Sequence, residues 1–185
     1  MQRVLVIGPC GAGKSTLAQR LGPVLDLPVV HLDALNWEPG WVMAPDDVFR
    51  ARMLDAARGP RWIIDGNYGG TLELRLPLAD TVIFLDFPRW RCVSRVIRRV
   101  IKHAGTTRPD MGRDCPERFD WEFMDFVWHW FETSRPRLLA RVARMSRAQR
   151  LVTLRTPREV DAFVRGLESR GAREACGNIL REKTY

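Results

Sequence analysis

The sequence predicts a three-layer α/β fold, in which helices cover both faces of a five-stranded parallel sheet. Short apolar strands alternate with helical segments, which is typical of parallel sheets because each crossover needs a helix. A glycine-rich turn joins the first strand to the first helix, and later strands end directly in aspartate. The chain has 185 residues, of which 45% are hydrophobic and 28% charged, so one domain with a substantial core is expected.

Each element follows from a local pattern. The strands are short and apolar, and they are predicted at residues 3–7, 27–32, 61–64, 81–85 and 151–154. The helices are longer, several begin beside a proline, and they are predicted at residues 14–21, 46–58, 88–103, 120–147 and 157–167. Residues 34–45 and 104–117 contain Gly and Pro and are predicted to be loops. The weak pattern after Ser169 predicts a mobile tail.

Positive charge is concentrated in the middle of the chain. The net charge is +8, and residues 1–88 carry 8 basic and 10 acidic side chains, whereas residues 89–155 carry 16 and 7. Such a segment indicates an anionic partner, and phosphates on a small molecule or on a nucleic acid both meet that description. Arginines at 137, 141, 144, 147 and 150 recur every three or four residues, which predicts a basic helix stripe or an ordinary solvated face.

The cysteines and histidines point to no metal centre. The four cysteines show no paired spacing, so free thiols in a reducing cytoplasm are expected. The three histidines have no ligand spacing with them, and no zinc site is expected. The first apolar run, from Val4, is too short for a signal peptide, and no run approaches the ~20 apolar residues that span a membrane.

The strongest motif lies between the first strand and the first helix. Residues 8–16, GPCGAGKST, fit the pattern G-x-x-x-x-G-K-[ST], in which backbone amides surround a phosphate at a helix N-terminus. Lys14 is expected to reach the outer phosphates of ATP, and Ser15 to offer its hydroxyl to Mg²⁺. The predicted nucleotide-binding residues of this loop are Gly8, Gly11, Ala12, Gly13, Lys14, Ser15 and Thr16.

A second motif places a carboxylate where a buried strand ends. In WIIDGNYGG, residues 62–70, Asp65 follows three apolar residues, and an isolated charge there is costly to desolvate. In P-loop proteins an aspartate on a strand beside the first helps to hold Mg²⁺. Asp86, which ends another strand, is the competing candidate. We favour Asp65 because Gly66 lets a ligand approach, so the predicted metal ligands are Ser15 and Asp65.

The stretches GPCGAGKST, IIDGNYGG and IFLDFPRW, with the arginines that follow, resemble the adenylate-kinase-like branch of the P-loop small-molecule kinases. The resemblance covers most of residues 1–168 and implies an adenylate- or shikimate-kinase-like fold. It also implies an acceptor-binding arm at about 33–60, a mobile lid at about 104–119, and a tail at 169–185. More narrowly, HLDALNW, LDFPRW, TRPDM and SRPR resemble a bacterial group labelled DNA topology modulation protein.

The resemblance implies roles for the later arginines. Arg95 and Arg99 fall nine and thirteen residues after Asp86, where such kinases contact the adenine or phosphates of ATP. Further arginines are expected to clamp the transferred phosphoryl group, because guanidinium binds two phosphate oxygens at once. These further arginines are Arg108, Arg113 and Arg118 at the lid, and Arg135 and Arg137 on either side of Pro136.

The acceptor side departs from the adenylate kinases. DGNYGG and LDALNW lack the arginines with which those enzymes grip AMP, so AMP is a doubtful acceptor. Asp33 follows the second strand, where shikimate-type kinases keep a carboxylate at the acceptor hydroxyl, and it is expected to orient the acceptor or act as general base. The expected pocket residues are Asn67, Tyr68, Trp37 and Trp41, with Arg75 as a partner for an anionic group.

The aromatic stretch WEFMDFVWHWF, residues 121–131, places Trp121, Met124, Trp128 and Phe131 on one helix face. Core packing is the expected role of this face, and a dimer surface is the alternative.

Together these patterns predict a cytoplasmic kinase that transfers the γ-phosphate of ATP, with Mg²⁺, to a small-molecule or nucleotide acceptor. The alternative is a nucleic-acid-associated regulator that binds ATP as a switch, which the basic segment and the label of the bacterial group favour. Neither reading involves a membrane. The predicted catalytic residues are Lys14, Asp33, Arg99, Arg135 and Arg137.

Overall fold

Five parallel strands form the central sheet. The structure, a computed structural model, describes the backbone of residues 1–182 and the side chains of residues 1–170. The strands are β1 (Arg3–Ile7), β2 (Val29–His31), β3 (Trp37–Glu38), β4 (Val42–Met43), β5 (Trp62–Asp65), β6 (Thr81–Leu85) and β7 (Arg150–Leu154). The sheet order is β2-β5-β1-β6-β7 with every neighbouring pair parallel, while β3 and β4 form a separate antiparallel hairpin.

Helices cover both faces of this sheet. They are α1 (Lys14–Leu25), α2 (Leu32–Asn36), α3 (Asp46–Ala57), α4 (Gly69–Arg75), α5 (Arg89–His103), α6 (Trp121–Val142) and α7 (Pro157–Glu182), with a 3₁₀ turn at Leu76–Leu78. Among the described residues, no helix combines the length and the apolar character needed to cross a membrane.

The alternation of β1 separates two cores. Val4 and Val6 pack in one core with residues of α1 and α7, while Leu5 and Ile7 pack in the other with residues of α3, α4 and α6. All four side chains are completely buried. Because burying one such side chain contributes about 1.5–3 kcal/mol, the two cores make the central strand a strong determinant of the fold. The predicted three-layer architecture is confirmed.

The strand predictions agree closely with the structure, but several other segments differ. The predicted loop at 34–45 contains most of α2 and the β3–β4 hairpin, and α4 was not predicted. Helix α4 is short and begins with two glycines, which are poor helix formers, so local propensity gives no signal for it. Helix α6 ends at Val142 rather than near Arg147.

The last helix is longer than predicted. Helix α7 continues through Ser169 to Glu182, where the sequence predicts a weakly patterned tail. The final part of that predicted tail, residues 183–185, lies outside the described residues.

The buried face of α6 is not the predicted one. Trp121 and Trp128 are 78% and 49% exposed, whereas Val127, Trp130 and Leu138 are buried. Eight of the eleven residues from 121 to 131 are apolar, so helical periodicity alone could not select the face that meets the core. The prediction that this face packs in the core is therefore wrong for Trp121 and Trp128, whereas Met124 and Phe131 are partly buried against core clusters.

Candidate active site

The carboxyl ends of β1, β2 and β5 meet at one edge of the sheet. Strand β5 lies between the other two, and its register pairs Asp65 with Val6 on one side and with His31 on the other. Because Val6 precedes the phosphate loop and His31 precedes Asp33, this register brings both motifs to the same edge.

The phosphate loop, residues 8–16, has the backbone that its glycines permit. Gly8, Gly11 and Gly13 have φ angles of 145°, 79° and 93°, which side chains disfavour. A β-carbon on Gly11 would lie 2.3 Å from the Cys92 carbonyl oxygen, and one on Gly8 would lie 2.5 Å from that of Leu85. The loop therefore requires glycine both for its dihedral angles and for its close contact with neighbouring backbone.

Lys14 and Ser15 begin α1 at the end of this loop. The Lys14 Nζ donates a hydrogen bond to the Pro9 carbonyl oxygen at 3.1 Å, so the side chain folds back over the loop. Ala12 is buried and Thr16 is exposed. The helix N-terminus and the Lys14 ammonium both present positive charge at this point, which suits an anion.

Asp65 lies beside Ser15. The Ser15 hydroxyl donates to Asp65 Oδ2 at 2.8 Å, and His31 Nδ1 contacts Oδ1 of the same carboxylate. Asp65 is only 4% exposed. Two adjacent hard oxygens fit Mg²⁺, which takes one or two protein oxygens and keeps waters and substrate phosphates as its other ligands. The described residues contain no cluster of three or more His, Cys, Asp or Glu side chains that could hold a metal ion.

His31 is a polar neighbour of Asp65 for which the sequence predicted no role in the site. Burial alone lowers the pKa of His31, but the hydrogen bond to Asp65 and the negative charges of Asp65, Asp110 and Asp33 outweigh it, so the pKa is raised. The available signal was positional, because His31 lies near the end of one predicted strand and Asp65 directly follows another.

Asp33 and Tyr68 form a hydrogen-bonded pair on the acceptor side. The Tyr68 hydroxyl donates to Asp33 Oδ1 at 2.8 Å, and the Tyr68 ring packs against Phe49 at 4.7 Å between centroids. Burial raises the pKa of Asp33 above its usual range; the Tyr68 hydrogen bond and the charge of Lys14 act in the opposite direction. Burial and the neighbouring Asp33 raise the pKa of Tyr68, so the phenol remains a donor.

Arg95 and Arg99 occupy different surroundings on α5. The Arg95 guanidinium lies against the phosphate loop, since a β-carbon on Gly13 would come within 2.9 Å of Arg95 Nη2. Burial, with the nearby charge of Arg91, lowers the pKa of Arg95. Arg99 instead faces the lid loop, where its Nε lies 3.2 Å from Glu117 Oε2.

A buried carboxylate organises the lid loop, residues 104–119. Glu117 is 5% exposed and pairs with Arg99 and with Arg108, whose Nε lies 2.7 Å from Oε2. Arg108 Nη1 also donates to both oxygens of Asp110, at 3.0 and 2.9 Å. The other two lid arginines, at 113 and 118, are exposed. In this conformation the charges of Arg99 and Arg108 are compensated within the protein.

The lid loop also packs on the β3–β4 hairpin. The Trp41 indole Nε1 donates to the Pro116 carbonyl oxygen at 2.8 Å. A β-carbon on Gly112 would come within 2.0 Å of the Trp37 carbonyl oxygen. Trp37 and Trp41, which were expected to line an acceptor pocket, thus contact the lid.

Arg135 and Arg137, the two predicted catalytic arginines on α6, lie in different surroundings. Arg135 makes a two-pronged pair with Asp86, with both N–O distances 2.8 Å, at the end of β6. This pairing occupies the carboxylate that competed with Asp65. Arg137 is exposed. Two residues along a helix differ by about 200° in direction, so Arg137 points away from the site and the structure does not bring it to the other predicted residues.

Asn67 and Arg75 do not line an acceptor pocket either. The Asn67 amide points to the backbone of Gly8, and Arg75 is completely buried. The sequence could not show that the turn after β5 folds back on the phosphate loop. The structure therefore brings together Lys14, Ser15, Asp33, Asp65 and Arg95.

Several solved structures share the fold of this chain. No protein-family model matches the chain. A shikimate kinase from Bacteroides thetaiotaomicron aligns with a TM-score of 0.56 and 19% identity over 91% of this chain and 97% of its own. A shikimate kinase from Acinetobacter baumannii in complex with shikimate has a TM-score of 0.56 and 15% identity over 100% and 96%. The chain has the shikimate-kinase-like P-loop fold.

A gluconokinase from Sinorhizobium meliloti 1021 is also similar, with a TM-score of 0.52 and 17% identity over 100% of this chain and 98% of its own. At such identities the likeness establishes the fold, and the chemistry must be argued from the side chains.

Proposed function

We propose that the chain is a kinase that transfers the γ-phosphoryl group of ATP to a hydroxyl or phosphate group of a small acceptor. The observation that carries the proposal is the position of Asp33 at the edge where Ser15 and Asp65 meet beside the phosphate loop. A phosphate-binding loop, a pair of oxygen ligands and a separate carboxylate are the parts that such a reaction needs. The shikimate kinases and gluconokinase of like fold support the proposal.

The nucleotide side consists of the loop, Lys14, Ser15, Asp65 and Arg95. Backbone amides and Lys14 would bind the triphosphate, and Arg95 would lie beside it. Ser15 and Asp65 would hold Mg²⁺, which neutralises negative charge on the phosphates when bound. Phosphoryl transfer depends mainly on positioning and electrostatics, so the site needs few reactive groups of its own.

On the acceptor side, Asp33 would accept the proton of the acceptor hydroxyl as the new bond to phosphorus forms. Burial and the charge of Asp65 raise the pKa of Asp33. The Tyr68 hydrogen bond and the charges of Lys14 and Arg108 lower it, but the net shift is upward. A carboxylate with a raised pKa is a stronger base than an ordinary aspartate, which favours this role.

The acid limb of the pH–kcat profile tests the role of Asp33. The base works only when ionised, so kcat should fall as pH drops through a midpoint above the usual range for aspartate. Tyr68→Phe removes a hydrogen bond that stabilises the carboxylate, so the limb should move to higher pH. A limb that stays in place, or moves to lower pH, would assign the titration to another group.

The proposal itself is tested by an acceptor screen. Nucleoside monophosphates and small alcohols are incubated with ATP, Mg²⁺ and the protein, and acceptor-dependent ADP release is measured. Lys14→Ala serves as the blank. At least one acceptor should raise ADP release well above that blank, and a screen in which wild type never exceeds it would contradict the proposal.

One surface favours the nucleic-acid alternative. Trp90, Trp121 and Trp128 are exposed, and Arg89 lies 4.9 Å from the centroid of the Trp128 ring. Aromatic rings with arginine are the groups that stack on single-stranded bases. Titrating single-stranded DNA binding against salt separates the two functions. Steep salt dependence with tight binding at physiological salt would favour the regulator, whereas binding that vanishes there favours the kinase.

A further inference from the structure

The turn that follows β5 is bonded to the phosphate loop through one side chain. The Gly8 amide donates to Asn67 Oδ1 at 3.0 Å, and Asn67 Nδ2 donates to the Gly8 carbonyl oxygen at 2.6 Å. One step earlier, the Gly66 amide donates to the Val6 carbonyl oxygen at 3.2 Å. The Asn67 amide thus continues the β1–β5 ladder beyond the strand ends and into the loop.

A buried charge holds Asn67 from behind. Arg75 Nη2 donates to the Asn67 carbonyl oxygen, while Arg75 Nε and Nη1 have no hydrogen-bond partner among the described residues. The side chain is 0% exposed. Burial lowers the pKa of Arg75 to about 9, although the charge of Asp65 opposes the shift. Burying a guanidinium with only one of its nitrogens hydrogen-bonded costs free energy of folding. That cost indicates that the remaining bond, to Asn67, has a function.

We propose that Asn67 is a positioning residue that holds the phosphate loop in its binding conformation, and that Arg75 fixes Asn67 for this purpose. The inference rests on the proposed function, since it concerns the same ATP site. Both backbone polar groups of Gly8 are committed to Asn67, so the first residue of the loop is fixed before ATP arrives.

The physical benefit is preorganisation. Glycine loses more backbone entropy on ordering than any other residue, and this loop contains Gly8, Gly11 and Gly13. A loop that is already ordered avoids that cost when the ligand binds, and the saving appears as affinity. The same turn carries Tyr68, so it also supports the hydrogen bond to Asp33.

Gln149 offers a matched control. Its Nε2 donates to the carbonyl oxygens of Leu76 and Ala79 at 2.6 and 2.7 Å, so it too is an amide side chain bonded to backbone. It precedes β7 and lies at the amino end of the sheet, away from the phosphate loop. Gln149→Ala therefore removes these bonds, and one from the Ser146 amide, without contacting the phosphate loop.

The experiment measures the Kd for ATP with Mg²⁺, and Tm, for Asn67→Ala and Gln149→Ala. Both variants should lose Tm, but only Asn67→Ala should bind ATP more weakly, by about tenfold, since two hydrogen bonds are lost. The inference would be overturned if Asn67→Ala bound ATP as tightly as wild type, or if the two variants lost ATP affinity equally. A purely structural role for Asn67 predicts a loss of Tm with one of these two outcomes for ATP affinity.

Two further variants keep the test decisive if Asn67→Ala does not fold. Asn67→Asp preserves shape but faces the Gly8 carbonyl oxygen with a carboxylate, and Arg75→Met removes the bond to Asn67 without contacting the loop. Both should weaken ATP binding. If wild type binds ATP through Lys14 while these variants bind equally well, the inference alone fails. If Lys14→Ala binds ATP as well as wild type, the proposed function fails, and the inference fails with it.

Discussion

Lys14→Ala is expected to lower ATP-dependent phosphotransfer by at least about a thousandfold, while Tm changes little. The side chain is the positive charge that begins α1 above the phosphate loop, and the hydrogen bond it makes among the described residues joins it to the Pro9 carbonyl oxygen. Removing one well-placed positive charge from a phosphoryl-transfer site costs about 10³–10⁵ in kcat. The measurement is acceptor-dependent ADP release under saturating ATP.

Lys102→Ala is the control for that result. Lys102 is an exposed lysine in the last turn of α5, so its loss removes the same charge from the protein without touching the loop. The two variants should differ by the full thousandfold. Equal turnover in Lys14→Ala and Lys102→Ala would remove Lys14 from the reaction.

Asp33→Asn is expected to lower kcat by about 10²–10⁴ while ATP affinity is retained. The asparagine keeps the shape of the side chain and can still accept the Tyr68 hydroxyl, but it cannot take a proton from the acceptor. Kinetic constants for the acceptor and a separate ATP titration check the two halves of this prediction. Loss of ATP affinity would place Asp33 on the nucleotide side.

The same substitution has an expected effect on stability. The folded-state pKa of Asp33 is raised, mainly by burial, so the ionised carboxylate destabilises the native state once the pH exceeds the unfolded value. At neutral pH, Asp33→Asn removes that penalty and should leave Tm unchanged or higher. Asp46→Asn, at an exposed position in the first turn of α3, is the control: it should leave kcat unchanged and should not raise Tm, because an acidic side chain there favours the helix dipole.

Local patterns predicted the parts of the site that depend on strand ends. The loop at residues 8–16 was predictable because its glycines directly follow a β-branched strand and directly precede a helix in the sequence. The apolar run before Asp65 indicated a buried strand, and that strand pairs with β1. Each of these features is encoded within about ten residues, so sequence reasoning could reach it.

Contacts between distant segments were beyond such reasoning. Asn67 was expected to face an acceptor, yet it bonds to Gly8, which is 59 residues away. The lid loop was expected to bring its arginines to ATP, and nothing in the sequence indicated that it also packs on the β3–β4 hairpin through Trp41. Such contacts depend on where two loops lie once the sheet has formed, and neither residue type nor spacing in the sequence predicts them.

The arginines show the same limit in another form. Arg95 and Arg99 lie four residues apart on one helix, but one lies against the phosphate loop and the other pairs with Glu117. A guanidinium is suitable for a phosphate or for a carboxylate, so residue identity could not separate the two roles. The partner decides, and the partner is known only in three dimensions.

The central claim is that Ser15 and Asp65 form the metal side of an ATP site, and Mg²⁺-dependent ATP binding tests it most directly. Kd for ATP is measured with and without Mg²⁺ in wild type, in Asp65→Asn and in Asp86→Asn. Mg²⁺ should tighten binding in wild type and in Asp86→Asn, whose carboxylate pairs with Arg135, and should have little effect in Asp65→Asn. An undiminished Mg²⁺ effect in Asp65→Asn, or its loss in Asp86→Asn alone, would contradict the assignment.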